Sequence, residues 1–161
     1  MKFILMGLMM ACVTVTPLAA QEAVVTDETV VPAAVVPAGG LQIIEAAGLD
    51  PQDFLWERRI VAVMADTPND PAFQRQLRDI MERPGEMFER DVVVIFDSDR
   101  NSDSLLRQML RPRGFMLAII GKDGQIKQRR PAPRSVREIS SAIDHFPLRR
   151  QEFLERRPAG R

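Results

Sequence analysis

Residues 59–71 read RIVAVMADTPNDP. The first seven, Arg59 to Ala65, form a nearly continuous apolar run and suit a strand buried on both faces. Asp66 to Asn69 turn the chain. Asp70 then predicts a helix cap, with Pro71 at the first helical position, where proline is favoured. Phe73, Leu77, Ile80 and Met81 follow at helical spacing and give that helix an apolar face. Pro84 and Gly85 break it. A strand and helix in this order lead to a second, parallel strand through a right-handed crossover.

Asp91 to Phe96 (DVVVIF) supplies that second strand. The next helix is expected to start near Ser102 and to bury Leu105, Leu106, Met109 and Leu110. Arg111-Pro112-Arg113-Gly114 ends it. Phe115 to Ile120 (FMLAII) is a third strand. Gly121-Lys122-Asp123-Gly124 is a tight turn whose Asp-Gly pair signals a hairpin. In Gln125 to Arg129 only Ile126 is apolar, and Lys127 and Arg129 fit an edge strand blunted by charge. Ser135 and Glu138 form a capping box. It opens a helix carrying Val136, Ile139, Ile143 and Phe146 on one face. Pro147 follows, and Leu148 to Arg157 predicts a further short helix. Upstream, Leu41 to Gly48 predicts a short helix that Gly48 closes. The expected order is β-α-β-α-β-β-α: a mixed four-stranded sheet with helices on both faces, compatible with a thioredoxin-like arrangement.

The chain has 161 residues, is 45% hydrophobic and has a formal net charge of +0, which fits one small globular domain. The even charge argues against a protein built to grip nucleic acid. One cysteine, Cys12, excludes an intrachain disulfide and a thiolate zinc cluster. With one histidine, no tyrosine and three lysines, few groups remain for acid–base or nucleophilic chemistry.

The N-terminus reads MKFILMGLMMACVTVTPLAAQEA. Lys2 begins a positive n-region. The apolar run from Phe3 to Val15 is shorter than the roughly 20 residues that cross a bilayer. Leu18-Ala19-Ala20 fits a peptidase site. Residues 1–20 therefore read as a signal peptide, which predicts a periplasmic or secreted protein with no transmembrane segment after cleavage. Cleavage there also removes Cys12. Residues 21–49 read as an acidic Ala/Val/Pro-rich leader, 50–157 as the folded domain and 158–161 as a tail.

Three segments carry a family resemblance: Asp53-Phe54-Leu55-Trp56; Gly121-Lys122-Asp123-Gly124 with Lys127; and Phe146-Pro147-Leu148-Arg149-Arg150-Gln151-Glu152. Together they resemble the bacterial exported domain-of-unknown-function family 4174, over roughly Asp50 to Glu155. That domain is similar to one in certain animal extracellular-matrix proteins. The resemblance implies a thioredoxin-like fold and brings no established activity.

Redox-active thioredoxin-like proteins place their attacking thiol between the first strand and first helix, where a helix N-terminus stabilises a thiolate. Here that place reads Asp66-Thr67-Pro68-Asn69-Asp70-Pro71. A threonine hydroxyl cannot substitute, because exchange requires sulfur. The expectation is a non-catalytic domain without a cofactor. The alternative is a degenerate or thiol-independent oxidoreductase or peroxidase-like enzyme.

Asp97, Asp99, Asn101 and Asp103 present oxygens at alternate positions, like the start of a calcium loop. Ser102 and Gln108 stand where an EF-hand wants glycine and glutamate, so the segment reads better as a polar turn with Ser102 or Asp103 capping the next helix. His145, without a nucleophile beside it, reads as structural. Trp56 with Phe54 reads as a core anchor, the alternative being an exposed aromatic that serves a partner surface. From Gln125 onward ten basic residues face four acidic ones. Arg149, Arg150 and Lys122 are the resulting candidates for contact with an anionic protein or envelope polymer; the alternative is a solvated face with local pairs such as Arg149 to Glu152 and Glu152 to Arg156. The contact role needs Arg149 and Arg150 exposed while Leu148 and Phe153 dock the chain end.

Overall fold

Every residue of Arg59–Met64 is buried, and this strand is the centre of the sheet. A computed structural model describes residues 40–156. The predicted signal peptide with Cys12, most of the leader and the tail over 158–161 lie outside the described residues.

Five strands make the sheet: β1 (Gln42–Glu45), β2 (Arg59–Met64), β3 (Val92–Asp97), β4 (Met116–Ile120) and β5 (Ile126–Arg130). Their order is β1-β3-β2-β4-β5. β1 and β2 both run parallel to β3, whereas β4 is antiparallel to β2 and β5 to β4. The crossover from β2 to β3 and the later hairpin give the thioredoxin-like arrangement expected, with one strand more than the four predicted. The added strand is β1, where a short helix was predicted. Ile43 and Ile44 are β-branched neighbours whose side chains enter opposite cores, as period two requires. The packed unit thus reaches back to Leu41, ahead of the boundary placed at residue 50. β5 is an edge strand, as its charge pattern predicted.

The helices are α1 (Pro71–Glu82), α2 (Pro84–Phe88), α3 (Leu105–Leu110), α4 (Val136–Asp144) and α5 (Pro147–Glu155). β2 divides its side chains between two cores. Val61 and Val63 pack with Phe73 and Ile80 of α1, Met87 of α2 and Ile139 and Ile143 of α4. Ile60, Ala62 and Met64 pack with Leu106 and Leu110 of α3. Helices therefore cover both faces.

Local chemistry explains where these elements start. The Asp70 carboxylate accepts from the N–H groups of Ala72 and Phe73 at 2.8 and 3.1 Å, capping α1. Ser135 and Glu138 form the predicted reciprocal capping box on α4. Pro84 and Gly85 do end α1, but Pro84 also opens α2, which buries Met87.

Several side chains lie elsewhere than the pattern placed them. Met81 is 44% exposed, and Gln76 is buried in its stead. The Gln76 amide donates to the Arg134 carbonyl at 2.9 Å and accepts from its N–H at 2.7 Å, joining α1 to the approach of α4. On α3, Leu105 and Met109 are exposed and Arg107 is buried. Trp56 is 68% exposed, with φ +66°, so it is no core anchor. A 3-10 turn over Pro51–Phe54 carries Phe54 against the α3-side core and leaves the indole outside. Leu148 is half-buried, Phe153 is 57% exposed, and α5 has no fully buried residue.

Candidate functional site

The parallel strands β2 and β3 begin at one end of the sheet and finish at the other, and each end carries a cluster of charge. At the starting end, Arg59 opens β2 with a side chain only 1% exposed. Its guanidinium donates to the Arg90 carbonyl at 2.8 Å and to Glu152 Oε1 at 2.9 Å. Lys122, in the turn after β4, reaches Asp91 Oδ2 at 3.0 Å and the same Glu152 oxygen at 3.1 Å. Arg149 lies 3.4 Å from Glu152 Oε2 and 3.6 Å from Asp144, and donates to the Glu89 carbonyl at 3.1 Å. Burial would raise the Glu152 pKa, but hydrogen bonds and charge from Arg59 and Lys122 outweigh it and hold the carboxyl below its ordinary range.

Two of the three predicted contact residues are therefore committed within the domain. Lys122 and Arg149 have side chains only 12% exposed and face the domain's own carboxylates. Arg150 stays exposed. Of the cluster that organises this end, the Arg149–Glu152 pair is legible from spacing, whereas Arg59 and Asp91 are not. One signal was present: Arg59 is the only charged residue in a strand otherwise wholly apolar.

At the finishing end, Asp97 closes β3 with 4% exposure. It accepts from Ser104 Oγ at 2.5 Å and from Arg107 Nη2 and Nε at 2.9 and 3.2 Å. Arg107 also donates to the Ala65 carbonyl at 2.6 Å, tying the end of β2 to the end of β3. Burial would raise the Asp97 pKa, and the bonds from Arg107 and Ser104 override it, lowering it overall.

Residues 98–103 turn the chain, as expected, and the cap of α3 lies further on than expected. Asp97 turns inward to Arg107. Asp99 Oδ1 accepts from the Asn101 N–H at 2.9 Å, and the Asp103 carbonyl from Gln108 Nε2 at 2.9 Å. Among the described residues no three His, Cys, Asp or Glu side chains are grouped to hold a metal ion. Ser104, rather than Ser102 or Asp103, caps α3. His145 Nδ1 lies 2.6 Å from the Ser141 carbonyl, at the exposed end of α4.

Above Arg107 lies a cleft of about 470 Å³, lined by Asp66, Arg100, Arg107, Arg111, Pro112, Arg113 and Gly114. Arg107 Nη1 stands 3.7 Å from Asp66 Oδ1. Arg100, Arg111 and Arg113 are exposed, and among the described residues none has a carboxylate within ion-pair distance. In the sequence these three stand as helix-ending and loop residues on either side of α3; the pairing of β2 with β3 brings Asp66 to them.

Residues 50–152 match the family model described as a domain of unknown function, DUF4174. No curated protein sequence matches the chain. Similar solved structures include Plasmodium yoelii thioredoxin peroxidase I, at 13% identity and TM-score 0.45, covering 70% of this chain and 83% of that one. Chloroplastic thioredoxin z is similar at 21% identity and TM-score 0.42, over 56% of this chain and 81% of its own.

Proposed function

The chain belongs to the DUF4174 family, and from that premise we propose that it is an exported, non-catalytic thioredoxin-like module that acts by binding an acidic partner. The observation that supports this most is the loop between β2 and α1. Thiol chemistry there needs a sulfur held at the start of the helix. This loop carries Asp66, Thr67, Pro68, Asn69 and Asp70 instead. The Asp70 carboxylate occupies the first N–H groups of α1, the groups that would stabilise a thiolate. What remains around the loop is guanidinium, whose forks recognise anions.

The test uses the exported protein, purified free of metal. Its intact mass should correspond to a chain starting at or near Gln21 with no lipid attached. It should neither reduce insulin nor turn over hydroperoxide with thiol reductants. Sustained turnover would overturn the non-catalytic reading in favour of a degenerate oxidoreductase. A mass that retains Cys12 with an acyl group would overturn export as a free protein.

A further inference from the structure

We propose that the arginine cleft at the finishing ends of β2 and β3 is the docking site of this module, and that it takes paired carboxylates from an acidic peptide segment of the partner. The proposal rests on the binding-module reading above and supplies its site and ligand chemistry.

Position is the first argument. In open α/β sheets the crevice outside the carboxyl ends of parallel strands is where ligands bind, because loops diverge there. Here the loops after β2 and β3 and the approach to β4 contribute Asp66, Arg100 and Arg111 to Gly114.

Charge is the second. Arg107 forms a fixed floor, held by Asp97 and the Ala65 carbonyl. Three further guanidinium groups stand around it, with Asp66 the only carboxylate in the lining. Lys122, Lys127 and Arg149 show what this chain does elsewhere with cations it needs structurally: each is paired. Arg100, Arg111 and Arg113 are left without a carboxylate partner among the described residues and are available to an outside anion. Arg111 has φ +48°, a helix-ending conformation usually given to glycine or asparagine. The chain tolerates that backbone while keeping an arginine at the rim.

Ligand chemistry is the third. Phosphate cradles rely on free backbone N–H groups at a helix start or in a nest. The Asp70 side chain already fills those of α1. Guanidinium forks remain, and they match phosphate and carboxylate alike two bonds at a time, so the choice between the two falls to the carboxylate beside the forks. Asp66 in the wall repels a phosphate dianion more strongly than it repels separate monoanionic carboxylates. The volume suits a few side chains of an extended segment rather than a polymer bundle.

The test is fluorescence anisotropy of a dye-labelled hexaglutamate peptide with the exported protein, at low and at physiological ionic strength. Binding should weaken with salt, since exposed charges are screened beyond about 8–10 Å. The double variant Arg111→Gln, Arg113→Gln should lose about tenfold or more in affinity with an unchanged melting transition, because both sites are exposed. Arg100→Gln supplies a second, independent loss. Arg150→Gln should bind like the parent. Inorganic phosphate at matched ionic strength should not displace the peptide. If phosphate displaces it efficiently, the carboxylate assignment falls. If Arg150→Gln loses binding while the cleft variants keep it, the cleft assignment falls and the acidic-partner reading stands. If the parent protein does not bind the peptide at all, both fall, and the redox assays alone then decide the non-catalytic reading.

Discussion

Arg59 and Glu152 stand 2.9 Å apart across the starting end of the sheet, and this contact fastens a helix that fully buries no side chain of its own. Arg59 is 1% exposed, so its charge has little water to fall back on. Lys122 and Arg149 converge on the same carboxylate. Replacing Glu152 leaves three cations with less than they need. Removing one partner of a buried pair costs more than the pair contributes, because the other charge is stranded.

Glu152→Gln should therefore destabilise the domain by about 3 kcal/mol, read as a lower midpoint in denaturant. The parent carries a pH signature as well. The folded-state pKa of Glu152 lies below its unfolded value. Its stabilising contribution is thus present above the unfolded pKa and is lost as pH falls through the folded one. Acid melting curves should show this loss below about pH 4.5, and Glu152→Gln should flatten that part of the profile. An unchanged profile would place the control of α5 elsewhere.

Asp97→Asn keeps the shape at the end of β3 and removes the charge facing Arg107. Arg107 would then have only Asp66, at 3.7 Å, as a carboxylate neighbour. The expected cost is again about 3 kcal/mol. Asp97 also has a depressed pKa, so the parent loses this contribution as pH falls through the folded value. Unlike Glu152→Gln, this variant should also disturb peptide binding, since Arg107 is the floor of the cleft.

Trp56→Ala should change stability by no more than about 0.5 kcal/mol, as for other exposed positions. Trp56→Gly should be more stable than Trp56→Ala by up to about 1 kcal/mol, because φ +66° suits glycine. The chain has one tryptophan, so its fluorescence offers a direct check. Emission should be that of a water-exposed indole and readily quenched by iodide. A blue-shifted, protected signal would contradict the exposed placement.

Gly124→Ala and Gly48→Ala form a matched pair. Both glycines have φ +71°, so each substitution carries a left-handed backbone cost of about 1–2 kcal/mol. At Gly48 a Cβ meets nothing within 4 Å, whereas at Gly124 it comes 2.7 Å from Leu55 Cδ2. Gly124→Ala should lower the melting temperature further than Gly48→Ala. Equal shifts would mean that the Leu55 side chain turns aside freely.

The strands and caps were legible because they rest on local signals. Arg59 to Ala65 reads as a buried strand from its own residues, and Asp70-Pro71 marks a helix start without reference to anything distant. β1 was missed because four residues of an edge strand alternate too briefly to outvote a helical reading of Leu41 to Gly48. Arg107 was missed for a different reason. Ser104, Arg107 and Leu110 share a helix face by spacing of three, but an arginine is normally assigned to solvent, and it is the Asp97 carboxylate and the Ala65 carbonyl, both distant in sequence, that offset its burial. The cleft escaped because Arg100, Arg111 and Arg113 read as ordinary loop charges, and strand order alone brings Asp66 beside them. Lys122 and Arg149 were singled out correctly as basic, yet exposure is a tertiary property that composition does not carry.

The central position of β2 also sets a timing problem for the growing chain. One of its edges pairs with β3, but the other waits for β4, about fifty residues downstream. At synthesis rates of roughly 5–20 residues per second, a strand apolar from Ile60 to Met64 keeps an open edge for several seconds. During that interval it can template pairing with another nascent chain. Holding the polypeptide unfolded until Ile120 has emerged would remove the hazard. A chaperone that engages residues 59–64 and releases them only then would suit this topology.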